Sequence, residues 1–406
     1  MMSHCAREWR FCDQDRAGAS ALAQALAVPR MTAHLLLVRG VDTPERADRF
    51  LHPAVEHLSD PFLLTGMREA VARIALARER GEHVLVFGDY DVDGIAGTAI
   101  LISALRRYGV AKCSYGMPHR LMEGYGLSPD RVQWAKDQGA QLLITVDNGV
   151  AALDAAQTAR ELGLDLIVTD HHMIDSSLPE AVAVINPRRE TADHPAADLC
   201  GAGVALKLAM ALTGEAHDFD LAALGTVADI VPLRGENRVL VALGLKEMAL
   251  GKRTGLVALA RQARLLIDQV KADSIAFQLA PRLNAGGRVG DGQAGVELLL
   301  TDSTELAERI AQELEAANEE RRGIEAGILK QATAILERDF RPAQRTIVLA
   351  HPEWHAGVIG IVASRVQSQF YRPVVLIALD AQGEGRGSAR SIAGFDIGGD
   401  CTKRNR

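Results

Sequence analysis

Between about Gly81 and Pro187 the hydrophobic positions come in short unbroken runs: HVLVF (83–87), QLLITV (141–146), LDLIVT (164–169) and AVAVI (181–185). A strand with one wet face alternates apolar and polar residues, whereas a strand buried on both faces of a parallel sheet reads as continuous apolar sequence. Helical stretches separate the runs, so the pattern predicts an open α/β sheet. Residues 1–75 read as mainly helical, with a capping signal at Thr43 ahead of Arg46 and Phe50. Another mostly helical region runs from about Leu199 to Leu300. From Ser303 to about Arg338 there is no proline, and Leu306, Ile310 and Leu314 recur four apart. One helix of that length spans roughly 50 Å, enough to join two bodies. Beyond it, RTIVLA, a helix from near HAGVIGIVASRV, and RPVVLIAL predict a second α/β unit, with two clear strands and one helix before the polar ending GGDCTKRNR.

The length of 406 residues suits two or three domains. No apolar run approaches the ~20 residues of a membrane span and the first residues lack the apolar core of a signal peptide, so a cytoplasmic enzyme or binding protein is expected. Five cysteines are scattered without CxxC spacing, which indicates neither a disulfide framework nor a zinc ribbon. A net charge of -7 argues against a uniformly basic nucleic-acid coat but leaves room for a local basic groove.

Candidate chemistry sits directly after the apolar runs. HVLVF is followed by Asp89, Asp91 and Asp93, QLLITV by Asp147 in DNG, LDLIVT by Asp170, His171 and His172, and AVAVI by Asn186. In an open parallel sheet, ligands bind outside the carboxyl ends of the strands, so these groups are expected along one edge. Such a concentration of negative charge needs a compensating cation. Carboxylates with one or two histidines and no cysteine suit Mn²⁺ or Mg²⁺. There are more carboxylates than one octahedral ion needs, and two ions about 3.5–4 Å apart sharing a carboxylate serve phosphoester hydrolysis. DYDVDG resembles the opening of an EF-hand loop, but Ile100 stands where that loop requires glutamate.

Asp229 lies alone in the apolar stretch GTVADIV, where an acid calls for a partner or a metal. GAGVAL (201–206) lacks a third glycine and reads as close packing of small residues. There is no GxxxxGK[ST] and no G-x-S-x-G. APRLNAGGRVGDGQAG (280–295), with Arg282, Arg288 and five glycines, reads as a loop that approaches phosphate. GEGRGSARS (383–391) offers Arg386, Ser388 and Arg390 either as an anion pocket or as an exposed hairpin.

GDYDVDG, VDNG, TDHH, GTVADIVPL, PRLNAGGR and GRGSARS, in this order, closely resemble the DHH phosphoesterase superfamily, and within it the bacterial 5′ to 3′ single-strand-specific DNA exonucleases. The resemblance covers about residues 40–397. It implies a parallel-sheet DHH domain (76–300) after the helical segment 1–75. A long connecting helix (301–340) would lead to a smaller α/β DHHA1 domain (341–406), here expected to be incomplete and without the C-terminal OB-fold. By motif position Asp91, Asp93, Asp147, His171 and Asp229 would hold two Mn²⁺ or Mg²⁺ ions. Asp89 and His172 would support them or contact the scissile phosphate. Arg120, Ser388 and Arg390 would match the family's pocket for the 5′ end, with Arg386 beside it, and Arg282 or Arg288 would line the DNA path. The implied substrate is single-stranded DNA with a free 5′ end, degraded in repair and recombination to mononucleotides, and a helicase and a single-strand-binding protein are expected by analogy. The competing expectations are a phosphodiesterase for oligoribonucleotides or cyclic dinucleotides, and an inactive DNA-binding remnant.

Overall fold

The computed structural model describes residues 15–118, 126–174, 177–289, 292–341 and 343–397, excepting the side chains of 288 and 289. Its main sheet is built from β1 (His83–Gly88), β2 (Lys112–Gly116), β3 (Leu142–Val146), β4 (Asp165–Thr169) and β5 (Ala183–Ile185). The strands lie in the order β2-β1-β3-β4-β5, all parallel. Successive residues of each apolar run feed two different cores, which is why the runs are unbroken. Val84 and Val86 join one buried cluster while Leu85 and Phe87 join the other. Four of the five strands coincide with those runs. β2 was not foreseen because KCSYG is a partly exposed edge strand with a single neighbour, and edge positions place little demand on hydrophobicity.

The chain leaves β1 for β2 on one side and later returns to β3 on the other. The crevice between the ends of β1 and β3 is therefore the topological switch point, where ligands of open α/β sheets bind. Helices surround the sheet. Among them, Met67–Arg80 buries Met67, Ala70, Ile74 and Ala77, and Gly201–Thr213 and Phe219–Ala228 are buried along most of their length. Ahead of these lie Arg16–Leu26, Arg30–Val38 and Pro44–Leu51, the last capped by the Thr43 hydroxyl, which accepts from Arg46 N–H. Among the described residues no single helix is long and apolar enough to cross a membrane.

The helix Thr304–Asp339 is continuous over 36 residues, about 54 Å, with Ser303 as its cap. Ala307, Ile310, Ala311 and Leu314 lie in the core of the first unit, whereas Ile328, Ala332 and Leu336 lie in that of the second. The second unit has a sheet of β6 (Ile347–His351), β7 (Val374–Leu379) and β8 (Gly385–Arg390) in that order, with the helix Ile359–Phe370 packed on it. β6 and β7 are parallel and β8 is antiparallel, so the mixed sheet has one strand more than the two clear apolar runs. β8 escaped that reading because it is all glycine, alanine, serine and arginine.

The glycine-rich segment 280–295 is not a phosphate-approaching loop. Residues Ala280–Val289 form a helix after a π-helical turn at Ile275–Leu279, and a further helix starts at Gln293. The glycines permit close packing instead. A Cβ at position 287 would come within 2.8 Å of the Tyr90 carbonyl oxygen, and one at 295 within 2.9 Å of the Ile95 side chain.

Candidate metal centre

The loop after β1 is shaped by two glycines. A Cβ at 88 would lie 2.0 Å from Thr98 Oγ1, and one at 94 would lie 2.4 Å from the Asp89 carbonyl oxygen. The helix Val92–Tyr108 can therefore start directly against the end of β1. Asp91 caps it, accepting from Asp93 N–H at 2.9 Å and Gly94 N–H at 3.2 Å, and a helix N-terminus favours the negative charge placed there. Val92 N–H donates to Asn284 Oδ1, which fixes the helix Ala280–Val289 over the same loop. No EF-hand is formed.

Asp93 turns the other way. Its two oxygens accept from Gly201 N–H at 2.6 Å and Ala202 N–H at 2.9 Å, the first turn of the helix Gly201–Thr213. The small residues of GAGVAL thus do more than fill space. A Cβ on Gly201 would strike the Asp147 side chain at 2.5 Å, and one on Gly225 would strike Asp93 Oδ1 at 2.5 Å. Asp147 follows β3 with φ at 63°, a left-handed conformation that aspartate tolerates better than most residues. Asp229 sits just past the last turn of Phe219–Ala228, at the negative end of the helix dipole.

These elements bring together all seven residues that the resemblance named as metal ligands or their supports, six from the strand ends and Asp229 from a helix end. Ligand atoms of Asp89, Asp91 and Asp147 lie within 4.8 Å of one another, as do those of Asp93, His171 and Asp229, and those of Asp147, His171 and His172. Asp147 and His171 each belong to two of the three groups, so the set is one connected cluster. His171 Nε2 is 3.0 Å from Asp147 Oδ1 and 3.7 Å from both Asp93 Oδ2 and Asp229 Oδ2. Ligands in neighbouring positions around an octahedral ion with bonds of about 2.1 Å lie about 3 Å apart, so this spacing suits a small hard cation.

The electrostatics point the same way. Burial, then the charges of Asp93, Asp91, Asp89 and Asp170, push Asp147 well above the ordinary carboxylate range. Burial and Asp93 raise Asp91. Burial, Asp93 and Asp91 raise Asp229 to about 7. Burial lowers His171, so its imidazole is neutral at pH 7 and contributes a lone pair in place of a compensating charge. Carboxylates held this close with a neutral histidine take up protons or bind cations, and hard oxygen donors with imidazole fit Mn²⁺ or Mg²⁺.

Asp170, grouped with the strand-end acids but given no role from sequence, organises the histidines. It accepts from the backbone N–H of His171 at 2.7 Å and of His172 at 3.1 Å, from Val150 N–H at 2.8 Å, and from His172 Nδ1 at 2.7 Å. Burial pushes this carboxylate up, but the hydrogen bonds from His172 and the backbone outweigh it and leave it low. The same contact raises His172. Asn186 and Arg188 complete the support by donating to the His172 and His171 carbonyl oxygens at 3.0 and 3.3 Å. The signal was present in the D of TDHH, but a ligand and the group that orients it look alike in sequence.

The basic candidates are dispersed. Arg282 is not brought to the cluster. It forms an ion pair with Glu315 of the long helix, with Nη2 3.1 Å from Oε1, and donates to the Gln278 carbonyl oxygen. Arg288 belongs to the last turn of Ala280–Val289, its side chain outside the described residues, and Arg120 lies outside them altogether. Arg386, Ser388 and Arg390 occupy alternate positions of β8, hence one face of that strand. Arg390 donates to Ser364 Oγ at 2.9 Å and Ser388 Oγ at 3.1 Å. Gly360, in the first turn of Ile359–Phe370, is so close that a Cβ there would lie 3.0 Å from Ser388 Oγ and 3.1 Å from Arg390 Nη2.

Comparison with known proteins accounts for this arrangement. The single-stranded-DNA-specific exonuclease RecJ of Salmonella typhimurium is 39% identical over 391 residues, covering 91% of this chain and 67% of that protein. A solved structure of exonuclease RecJ bound to manganese matches with a TM-score of 0.74 at 37% identity, over 85% of this chain and 86% of that one. The chain belongs to the RecJ family. The RecJ of Bacillus subtilis is likewise 39% identical over 96% of this chain, but only 50% of its own length is covered, so the chain spans between half and two thirds of these curated relatives. RecJ from Thermus thermophilus in complex with Mn²⁺ superposes with a TM-score of 0.83 at 34% identity, over 96% of this chain and 56% of that one. The pattern of the DHH family, N-terminal domain, matches residues 83–230, from the first residue of β1 to the residue after Asp229, and thus encloses the whole cluster. The DHHA1 domain pattern matches residues 343–399, which contain β6, β7 and β8.

Proposed function

We propose that this chain is the catalytic portion of a metal-dependent exonuclease that shortens single-stranded DNA from its 5′ end. The observation that carries the reading is the cluster itself: five carboxylates and two imidazoles share ligand positions at the switch point of the sheet, in a chain that belongs to the RecJ family. Two divalent cations held there would supply an activated water and neutralise charge on the scissile phosphate. The protein's part is to hold the ligands before the cations arrive. Asp93, fixed by two backbone N–H groups, and His171, fixed through Asp170 and Arg188, take one side with Asp229. Asp89 and Asp91 take the other, and Asp147 lies between them. His172, half-exposed and raised by Asp170, is suited to holding a proton against the phosphate.

Ser388 and Arg390, together with Arg120, are the proposed seat of the 5′ end, with Arg386 beside it, Arg288 lining the strand's path and Arg282 bracing that path through Glu315. We assign 1–75 to an N-terminal helical segment, 76–300 to the DHH domain, 301–340 to the connecting helix, and 341–406 to DHHA1; of these, 1–14 and 398–406 lie outside the described residues. A cytoplasmic setting, with a helicase that opens duplex and a single-strand-binding protein that keeps the strand extended, would complete the reaction's requirements.

The direct test is to incubate the purified chain with 3′-labelled single-stranded DNA, its duplex and a short RNA, in Mn²⁺ or EDTA. Stepwise Mn²⁺-dependent shortening of the single strand alone is expected. Consumption of the RNA alone would overturn the substrate assignment in favour of a small-substrate phosphodiesterase.

A further inference from the structure

Two exposed apolar side chains stand beside the cluster with no packing role. Ile230 directly follows Asp229, is 87% exposed, and holds φ at 61°. A β-branched residue in left-handed backbone is strained, and glycine or asparagine would relieve it. Burial gives nothing back. The helix Phe219–Ala228 is buried from Phe219 through Val227, Asp229 turns into the cluster, and Val231 returns to the core, so Ile230 is the residue that the reversal pushes into the open. Met173 directly follows His172 and is 71% exposed. Asp229 and His172 each share a ligand group with His171, so both apolar residues directly follow members of one connected cluster.

We propose that Ile230, with Met173, forms an apolar lip that contacts the face of the nucleobase belonging to the nucleotide at the scissile phosphate. This rests on the exonuclease reading above. A phosphate held at the cluster carries its base one sugar away, within reach of residues one or two positions from the ligands. Every base has an apolar face, so such a contact positions the nucleotide without selecting sequence, as stacking platforms do in single-strand binders. Strained backbone beside a site is a reason to look for a function that uses it.

The test compares kcat/KM in Mn²⁺ on single strands with ordinary bases and on strands with abasic residues at the two 5′-terminal positions. Wild type is expected to favour the ordinary strand about tenfold, and Ile230→Ala and Ile230→Gly to bring the ratio within about twofold of unity. Because Ile230→Gly also relieves the backbone, its melting temperature should hold or rise while the discrimination is lost, which separates base contact from folding. A wild-type ratio retained in Ile230→Gly overturns the lip and leaves the exonuclease reading standing. Absence of Mn²⁺-dependent shortening by wild type overturns both.

Discussion

The two charged sites of this chain are opposites. At the end of the parallel sheet, Asp89, Asp93 and Asp147 are buried with His171 among them, the like charges of the acids concentrated around one crevice. On β8, Arg386 and Arg390 are exposed, and Ser388 is half-exposed. Burying like charges carries a large desolvation and repulsion cost, so the first site makes sense only with a cation, and its purpose can be argued from that cost. Arginines on a wet strand cost almost nothing, so their position alone says little. What speaks for them is the close approach of Gly360 and the serines gathered on Arg390. Function is legible where structure is expensive.

The strongest way to break this contrast is Asp147→Asn, since asparagine tolerates the left-handed backbone. Hydrolysis should fall by about 10³-fold, while the metal-free protein melts at a higher temperature because buried repulsion is relieved. Activity retained alongside a lowered melting temperature would show that the acid is structural. Asp93 is a poorer choice, because its removal also strands two N–H groups of the helix Gly201–Thr213.

Next in size is the connection between the two regions. Glu325 of the long helix is buried and pairs with Arg321 at 2.8 Å and with Arg365 of the second unit at 2.6 Å. Glu325→Ala leaves Arg321 buried without that partner and should cost about 3 kcal/mol by urea denaturation. A loss below 1 kcal/mol would mean that the apolar contacts of Ile328, Ala332 and Leu336 alone hold the second unit to the helix.

Asp170→Asn should weaken Mn²⁺ binding or activity by about 10- to 100-fold and lower the His172 pKa, which NMR titration of the imidazole would detect. Arg390→Ala should raise KM about tenfold for strands with a 5′ phosphate and leave 5′-hydroxyl strands and the melting temperature nearly unchanged. Equal effects on both ends would remove β8 from the anion site.

The smallest effect is on pH dependence. The folded pKa of Asp229 is raised to about 7, above its unfolded value, so the folded, metal-free protein binds more protons than the unfolded chain in the window between. The stability contributed by that proton is present at low pH and is lost as pH rises through about 7. In EDTA, Asp229→Asn should flatten the fall in melting temperature between pH 5 and pH 8. Mn²⁺ binding by wild type should strengthen over the same interval and release protons, measurable by calorimetry in buffers of different ionisation enthalpy.

Much was legible in the sequence where burial constrains it. The apolar runs gave four of the five strands of the main sheet, the absence of proline and the Ser303 cap gave the long helix almost to the residue, and the strand ends gave six of the seven members of the cluster, with Asp229 marked by its place in an apolar stretch. Less was legible where constraint is weak or shared. β2 and β8 are edge strands whose residues face solvent. The glycines of 280–295 suggested a loop because glycine permits both tight turns and tight packing, and only the proximity of Tyr90 and Ile95 decides between them.

By itself, then, the sequence determined which segments are buried on both faces and which acids end them, because hydrophobic runs and uncompensated charge are local properties of the chain. Tertiary structure alone decided that Asp229, more than eighty residues after Asp147, meets the strand-end acids, that Asp93 is bound by the helix at Gly201, that Asp170 orients His172, and that Ile230 is left in the open. Each of these depends on how closely two distant backbones approach, and that distance is set by the small residues packed between them.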